Sequence, residues 1–265
     1  MAEVFLHRDR IWITTVLVVT VALCWVWIVT MARDMYGPMT GAAAWMMKDR
    51  WDFPYLVLLF AMWVVMMAGM MLPSVAPVLF TYGGMVHPGP SSQGAVAKAY
   101  SFAGGYLVVW AGFSFVATAI QWLLAHELLL SPMMEVRDSR FGGVLFVVAG
   151  LYQFTPVKYA CLRSCQSIAA HWQKGMASSF RLGLASGFRC VGCCWAVMLL
   201  LFVGGVMNLW WIAALTVFVC LEKAGVLDRR GTRIIGLCLL AAGIWYLKRG
   251  FVEGLVVGHS ALAAC

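Results

Sequence analysis

The sequence predicts an all-α fold, a polytopic transmembrane helical bundle of one domain, and three observations carry that prediction. Hydrophobic residues fill 63% of the 265 positions and charged residues only 11%, against about 45–50% and roughly 25% in soluble domains. Mean hydropathy is +0.87. The apolar residues also gather into runs near the roughly twenty that carry a helix across a bilayer. A globule this apolar would turn large apolar patches to water, which excludes a soluble enzyme. Its abundant apolar mass excludes a disordered chain, and the absence of a short repeat excludes a collagen-like one. The net charge of +8 gives no reason to invoke nucleic acid, because the basic residues lie between apolar runs instead of forming one patch.

Seven spans are expected, with six as the rival count: residues 11–31, 53–72, 101–125, 141–157, 190–207, 209–221 and 234–247. The first run is 21 residues long, more than a signal-peptide core of about 7–15, so it is expected to remain as an anchor. Pro73 and Pro77 are expected to break the second span after its methionines. Pro156 should do the same to the fourth, beside Tyr152, Gln153 and Thr155, whose polar groups can line a cavity. Gly204, Gly205 and Asn208 read as a tight turn between the fifth and sixth spans. The sixth and seventh are short and must tilt, borrow flanking residues or stop partway. With the N-terminus cytoplasmic, twelve Lys and Arg residues fall inside and seven outside, which favours that orientation in a bacterial inner membrane. No linker, internal repeat or low-complexity tract divides residues 1–265.

Sulfur is where chemistry is expected. Five of nine cysteines cluster: Cys161 and Cys165 in one group, Cys190, Cys193 and Cys194 in the other. By the charge rule both groups sit at the cytoplasmic edge, where thiols stay reduced. Residues three and four apart share a helix face, so Cys190, Cys193, Cys194 and Met198 make one soft-ligand stripe. Cys161 and Cys165 offer a second pair. Lys158, Arg163 and Arg189 nearby would favour the thiolate, the form that binds metal. In the second span Met62, Met66 and Met70 share a face, with Met67 and Met71 on an adjoining strip. Met35, Met39, Met46, Met47, Met133 and Met134 are expected in outer loops. Thiolates and thioethers together select Cu(I) over hard cations. The bland alternatives stand beside this: buried cysteine is a small hydrophobe, methionine a core filler. Cys24, Cys220, Cys238 and Cys265 read that way, and a palmitoylated or redox pair is a further option for the cluster.

Other groups carry less. The five histidines (His7, His87, His126, His171 and His259) lie in loops or at span ends, so no intramembrane pair clamps a haem. Of these only His126 is placed as a ligand candidate. Glu222 and Lys223 close the sixth span, where snorkelling to the headgroups competes with function. Gly183 and Gly187 form a small-xxx-small pair suited to helix packing or to dimerisation. No phosphate loop, nucleophile elbow or paired intramembrane carboxylate supports hydrolysis or phosphoryl transfer.

Several stretches together resemble a bacterial family described as predicted metal-binding integral membrane proteins, sometimes as copper chaperones. They are Met62-Trp63-x-x-Met66-Met67-x-x-Met70-Met71-x-Pro73, Tyr152-Gln153-x-Thr155-Pro156-x-Lys158-x-x-Cys161-Leu162-x-x-Cys165 and Gly187-x-x-Cys190-x-Gly192-Cys193-Cys194-Trp195-x-x-Met198. Gly205-x-Met207-Asn208 and Glu222-Lys223 complete the set. The resemblance implies metal binding. Where the family pattern often carries a histidine before Gly187, this chain has Ser186, which leaves a site built from sulfur. The leading expectation is therefore a membrane protein that binds Cu(I) and moves it across the bilayer or hands it to a donor or acceptor protein or a membrane complex. Homo-oligomerisation is left open. A thiol oxidoreductase or assembly factor, and a structural subunit of a larger membrane complex, are the alternatives.

Overall fold

The computed structural model describes residues 2–35, 37, 52–85, 93–126, 138–166 and 179–262, with side chains at 11–35, 37, 52–76, 96–126, 138–166 and 179–251. Every regular element among them is helical: α1 Ala2–Met35, α2 Phe53–Met85, α3 Gln93–His126, α4 Ser139–Tyr152 and α5 Pro156–Gln166. Then follow α6 Ser179–Leu199, α7 Leu201–Gly204, α8 Leu209–Lys223 and α9 Arg229–Leu262. Five stretches are long and apolar enough to cross a membrane: Ile11–Met35, Phe53–Ala76, Val96–His126, Ser179–Gly204 and Arg229–Phe251. The pair α4 and α5, bent by 65°, makes a sixth if taken as one broken span. The expected count of seven is not reached by this measure. Helix α8 has 15 residues, about 22 Å at 1.5 Å per residue, short of a hydrocarbon core roughly 30 Å thick.

Two boundaries differ from the sequence reading for local reasons. Helix α2 runs through Pro73 to Met85, and the Ser74 hydroxyl donates to the Met71 carbonyl at 2.7 Å. Proline removes only the donor to the carbonyl four residues back, a loss that a helix packed among neighbouring helices can carry. Helix α6 begins at Ser179, so Cys190 lies eleven residues inside it and does not open it. The break near Pro156 is as expected: the chain leaves the helix at residues 153–155. The Tyr152 carbonyl there accepts from both the amide and the hydroxyl of Thr155. The turn after α7 is also as expected. Gly205 has φ 89°, the left-handed region that glycine enters without a Cβ clash, and the Asn208 side chain caps α8 at the Trp211 amide.

The bundle is apolar outside and partly polar inside. Leu23, Phe115 and Leu237 are more than half exposed, whereas Gln121, Gln153, Lys158 and Glu222 are at most 1% exposed. Water would impose the reverse arrangement; hydrocarbon tolerates this one, because most of these buried polar groups find a protein partner, the Gln153 amide nitrogen being an exception. Helices α3 and α6 approach closely over the small-residue pair. A Cβ on Gly183 would lie 2.1 Å from the Phe102 carbonyl oxygen, and one on Gly187 would lie 2.8 Å from the Val109 Cβ. Within this chain, then, Gly183 and Gly187 serve helix packing. A similar approach joins α4 to α9, where a Cβ on Gly143 would meet the Gly243 carbonyl at 3.0 Å.

Candidate metal centre

Cys190 stands one turn beyond Gly187 on the face of α6 that meets α3. The close crossing brings the Tyr106 hydroxyl to 3.0 Å from the Cys190 sulfur, and the same hydroxyl lies 3.4 Å from the Met71 carbonyl of α2. The fourth wall is α8. Cys190 lies 14 positions before Gly204, where α7 ends, and Lys223 lies 14 positions after Leu209, where α8 begins. Helices running out and back over equal lengths return to the same level. The Lys223 ammonium sits 2.6 Å from the Cys190 sulfur. It also donates to the Ser74 hydroxyl at 2.8 Å and to the Tyr106 hydroxyl at 3.5 Å. One cation thus ties α2, α3 and α6 to the end of α8.

The other thiols are turned differently. Cys193 and Cys194 donate to the Cys190 carbonyl at 3.1 and 2.8 Å. All three are at most 1% exposed, as is Met198 one turn further on. Cys161 packs on Gly192, where a Cβ would lie 2.9 Å from its sulfur, and the Tyr152 hydroxyl donates to the Gly192 carbonyl beside it. Cys165 joins Cys190, Tyr106, Ser74, Ser186 and Lys223 in lining a cavity of about 460 Å³. Both cysteine groups therefore reach α6, by different routes: Cys161 against Gly192, Cys165 across the cavity from Cys190. Among the described residues the cysteines are free thiols, and no three His, Cys, Asp or Glu side chains stand in a metal-ligating arrangement. The thiols of Cys193 and Cys194 instead bond to their own helix.

The methionine face of α2 is buried in the same core. Met62, Met66, Met67, Met70 and Met71 are at most 2% exposed and share one apolar cluster with Cys190, Cys193, Cys194 and Met198. Trp63 between them donates its indole N–H to Gln121 of α3 at 2.7 Å and packs on Phe202 with ring centroids 5.2 Å apart. Met35, expected in an outer loop, instead closes α1 and is buried in the same core, at 1% exposed. Met39, Met46, Met47, Met133, Met134, His87, His171 and Cys265 lie outside the described residues, as do the side chains of His7 and His259. His126 stacks on Trp122 at 5.9 Å at the end of α3. Of the cations expected beside the thiols, Arg189 stands near Cys161, Arg163 is exposed and Lys158 pairs with Glu222; the cation at Cys190 is Lys223 of α8.

A second buried charge cluster adjoins the first. The Lys158 ammonium lies 2.5 Å from a Glu222 carboxylate oxygen, with the side chains 0% and 2% exposed, and it also donates to the Gln153 side-chain oxygen. The Phe218 ring centroid is 5.6 Å from that ammonium, and the Gln166 amide donates to the Glu222 carbonyl at 3.1 Å. Neither lysine snorkels. Sequence reasoning passed over Tyr106 and Ser74, whose neighbours along the chain signal nothing. It named Glu222 and Lys223 but placed them at a span end, although the equal helix lengths flanking residues 204–209 put Lys223 level with Cys190.

Fold and site together define a class: an apolar helical bundle with thiols, thioethers and paired charges in its core, a donor set suited to soft metal or to thiol chemistry. The copper chaperone family PpoB2 matches residues 60–246, from the methionine face of α2 into α9, and the chain belongs to that family. Every candidate ligand falls within the match. No curated protein and no solved structure matches the chain.

Proposed function

We propose that this chain is an integral membrane protein that binds Cu(I) through methionine and cysteine sulfur and passes it across the bilayer or to a partner protein. One observation carries the reading above the others. The thioether face of α2 (Met62, Met66 and Met70) and the thiol face of α6 (Cys190, Cys193, Cys194 and Met198) lie in a single buried core. Thioethers bind Cu(I) more weakly than thiolates do. Sulfur ranked this way supports movement from the methionines toward Cys190 and its neighbours, with Cys161 and Cys165 as further acceptors. Membership of a copper chaperone family and five helices of membrane-crossing length support the same reading. In this proposal the membrane is the bacterial inner one, with the N-terminus and the thiol-bearing end of the bundle cytoplasmic.

The test is the copper content of detergent-purified protein loaded with Cu(I) under reductant, set against a variant with Cys190, Cys193 and Cys194 all changed to Ser. Stoichiometric copper is expected in the parent, and its loss in the folded variant. Equal background copper in both would overturn the proposal. The contact of Lys223 with Cys190 also suits thiol exchange, which predicts mixed disulfides trapped on Cys193→Ser or Cys194→Ser variants.

A further inference from the structure

Helix α9 opens on Arg229, Arg230 and Arg233, three exposed cations that take no part in the sulfur core. Among the described residues none of them forms an ion pair, not even with neighbouring Asp228; the pair in this region is Lys158 with Glu222. We infer that these arginines, with Tyr159 of α5, seat the headgroup phosphate of an anionic glycerophospholipid. Its acyl chain then lies on the apolar wall formed by α9 and the break between α4 and α5. The inference rests on the membrane reading above and is independent of copper.

Helical spacing places the charges at the right depth. Arg229 is the first residue of the stretch Arg229–Phe251, long and apolar enough to cross a membrane, so it stands where hydrocarbon gives way to headgroups. Positions 230, 234, 237, 241 and 244 follow one face of the helix. Arg230 heads that face, and Ile234, Leu237 and Ile244 along it are more than half exposed. Arg233 is three positions from Arg230 and four from Arg229, so the three side chains can converge on one anion. The break between α4 and α5 supplies the second side. A Cβ on Gly236 would lie 2.9 Å from the Phe154 ring. Seven positions nearer the start of α9, the Arg229 guanidinium stands 4.8 Å from the Tyr159 ring centroid. Break and helix therefore run side by side from the apolar level to the charged one. Phe154 and Val157 are exposed as well, which puts apolar surface on both sides of the contact.

Chemistry selects the ligand. A guanidinium is always charged and offers paired donors that match phosphate oxygens. The Tyr159 hydroxyl is buried with no hydrogen-bond partner among the described residues, and leaving such a donor unsatisfied is costly. A phosphate oxygen drawn in beside Arg229 supplies the missing acceptor. An acidic protein segment could meet the charges, but it would press its backbone against Ile234 and Leu237 at a depth where peptide groups go unsatisfied. An anionic lipid brings the charge and the apolar chain in one molecule, and basic pockets between membrane helices bind such headgroups.

The experiment uses the full chain in a neutral detergent with phosphatidylglycerol, phosphatidylcholine or inorganic phosphate added. Retained lipid is read by native mass spectrometry, and stability by the midpoint of a thermal melt. Phosphatidylglycerol is expected to be retained about tenfold more than phosphatidylcholine and to raise the midpoint by several degrees. Arg230→Gln with Arg233→Gln, which leaves the contact of Arg229 with Tyr159 in place, should abolish most of that preference. Lys98→Gln with Arg181→Gln, an equal loss of exposed charge on α3 and α6, should keep it. A preference that survives in the first double variant, or falls equally in both, overturns the inference and leaves only diffuse attraction between charges. A midpoint shift reproduced by inorganic phosphate alone overturns the lipid as its source. A chain that stays folded and dispersed with no detergent overturns the membrane reading as well.

Discussion

Two lysines lie in one core, and their partners give them different roles. Lys158 meets the Glu222 carboxylate and the Gln153 side chain. Lys223, the residue after Glu222, meets a sulfur and two hydroxyls. The first site is a hard ion pair between the helix break and α8, closed over by Phe218. The second opens on a cavity and has a polarizable sulfur atom as its partner. A carboxylate anchors its lysine against anything short of unfolding. A thiol and two hydroxyls hold their lysine by hydrogen bonds, without a carboxylate. Adjacent residues at one helix end thus divide structure from chemistry.

The largest effect should come from breaking the hard pair. Glu222→Ala leaves the Lys158 ammonium buried without its counter-charge and should cost about 3–5 kcal/mol, read as loss of folded protein in a detergent thermal melt. The double replacement Lys158→Met with Glu222→Leu should recover most of that stability, because an apolar pair of similar volume needs no compensation. If the double variant stays as unstable as the single one, the pair is more than a structural tie.

Lys223→Met should be milder, about 1.5–3 kcal/mol for the lost charge-assisted hydrogen bonds, read in the same thermal melt. Should it destabilise as much as Glu222→Ala, the contrast between the two lysines fails.

Gly183→Ala perturbs the wall of the sulfur site alone, by pushing α3 away from α6. Overpacking of this kind costs about 1–3 kcal/mol. Thiol-labelling kinetics should show Cys190 more accessible once Tyr106 withdraws, with Cys161 unchanged. Equal changes at both cysteines would show that the crossing does not control the site.

The smallest effect on stability is expected for Met66→Leu, under about 1.5 kcal/mol for a near-isosteric swap. Made together, Met62→Leu, Met66→Leu and Met70→Leu should keep the fold while slowing copper loading of the cysteines in a time course. Unchanged loading would reduce these methionines to packing.

Much of this was legible from chain order. Apolar runs mark the helices, Pro156 marks the break, Gly205 and Asn208 mark the turn, and the periodicity of Met62/Met66/Met70 and Cys190/Cys194/Met198 marks two sulfur faces. These signals are local: each depends on residues within a few turns of each other. Pro73 misled because one missing backbone donor does not end a helix that neighbouring helices hold in place. The short α8 counted as a span because hydropathy registers apolarity before it registers length.

The sequence by itself determined an all-helical apolar chain with sulfur in periodic stripes, since apolarity and spacing are properties of neighbours along the backbone. Only the tertiary structure decided which cation meets which anion. Lys223 is 33 residues from Cys190, 117 from Tyr106 and 149 from Ser74, and Lys158 is 64 from Glu222. No local signal spans such separations. Those partners meet because Gly183 and Gly187 let two helices approach closely and because a tight turn folds a hairpin of equal arms, and burial then requires every charge to find its match.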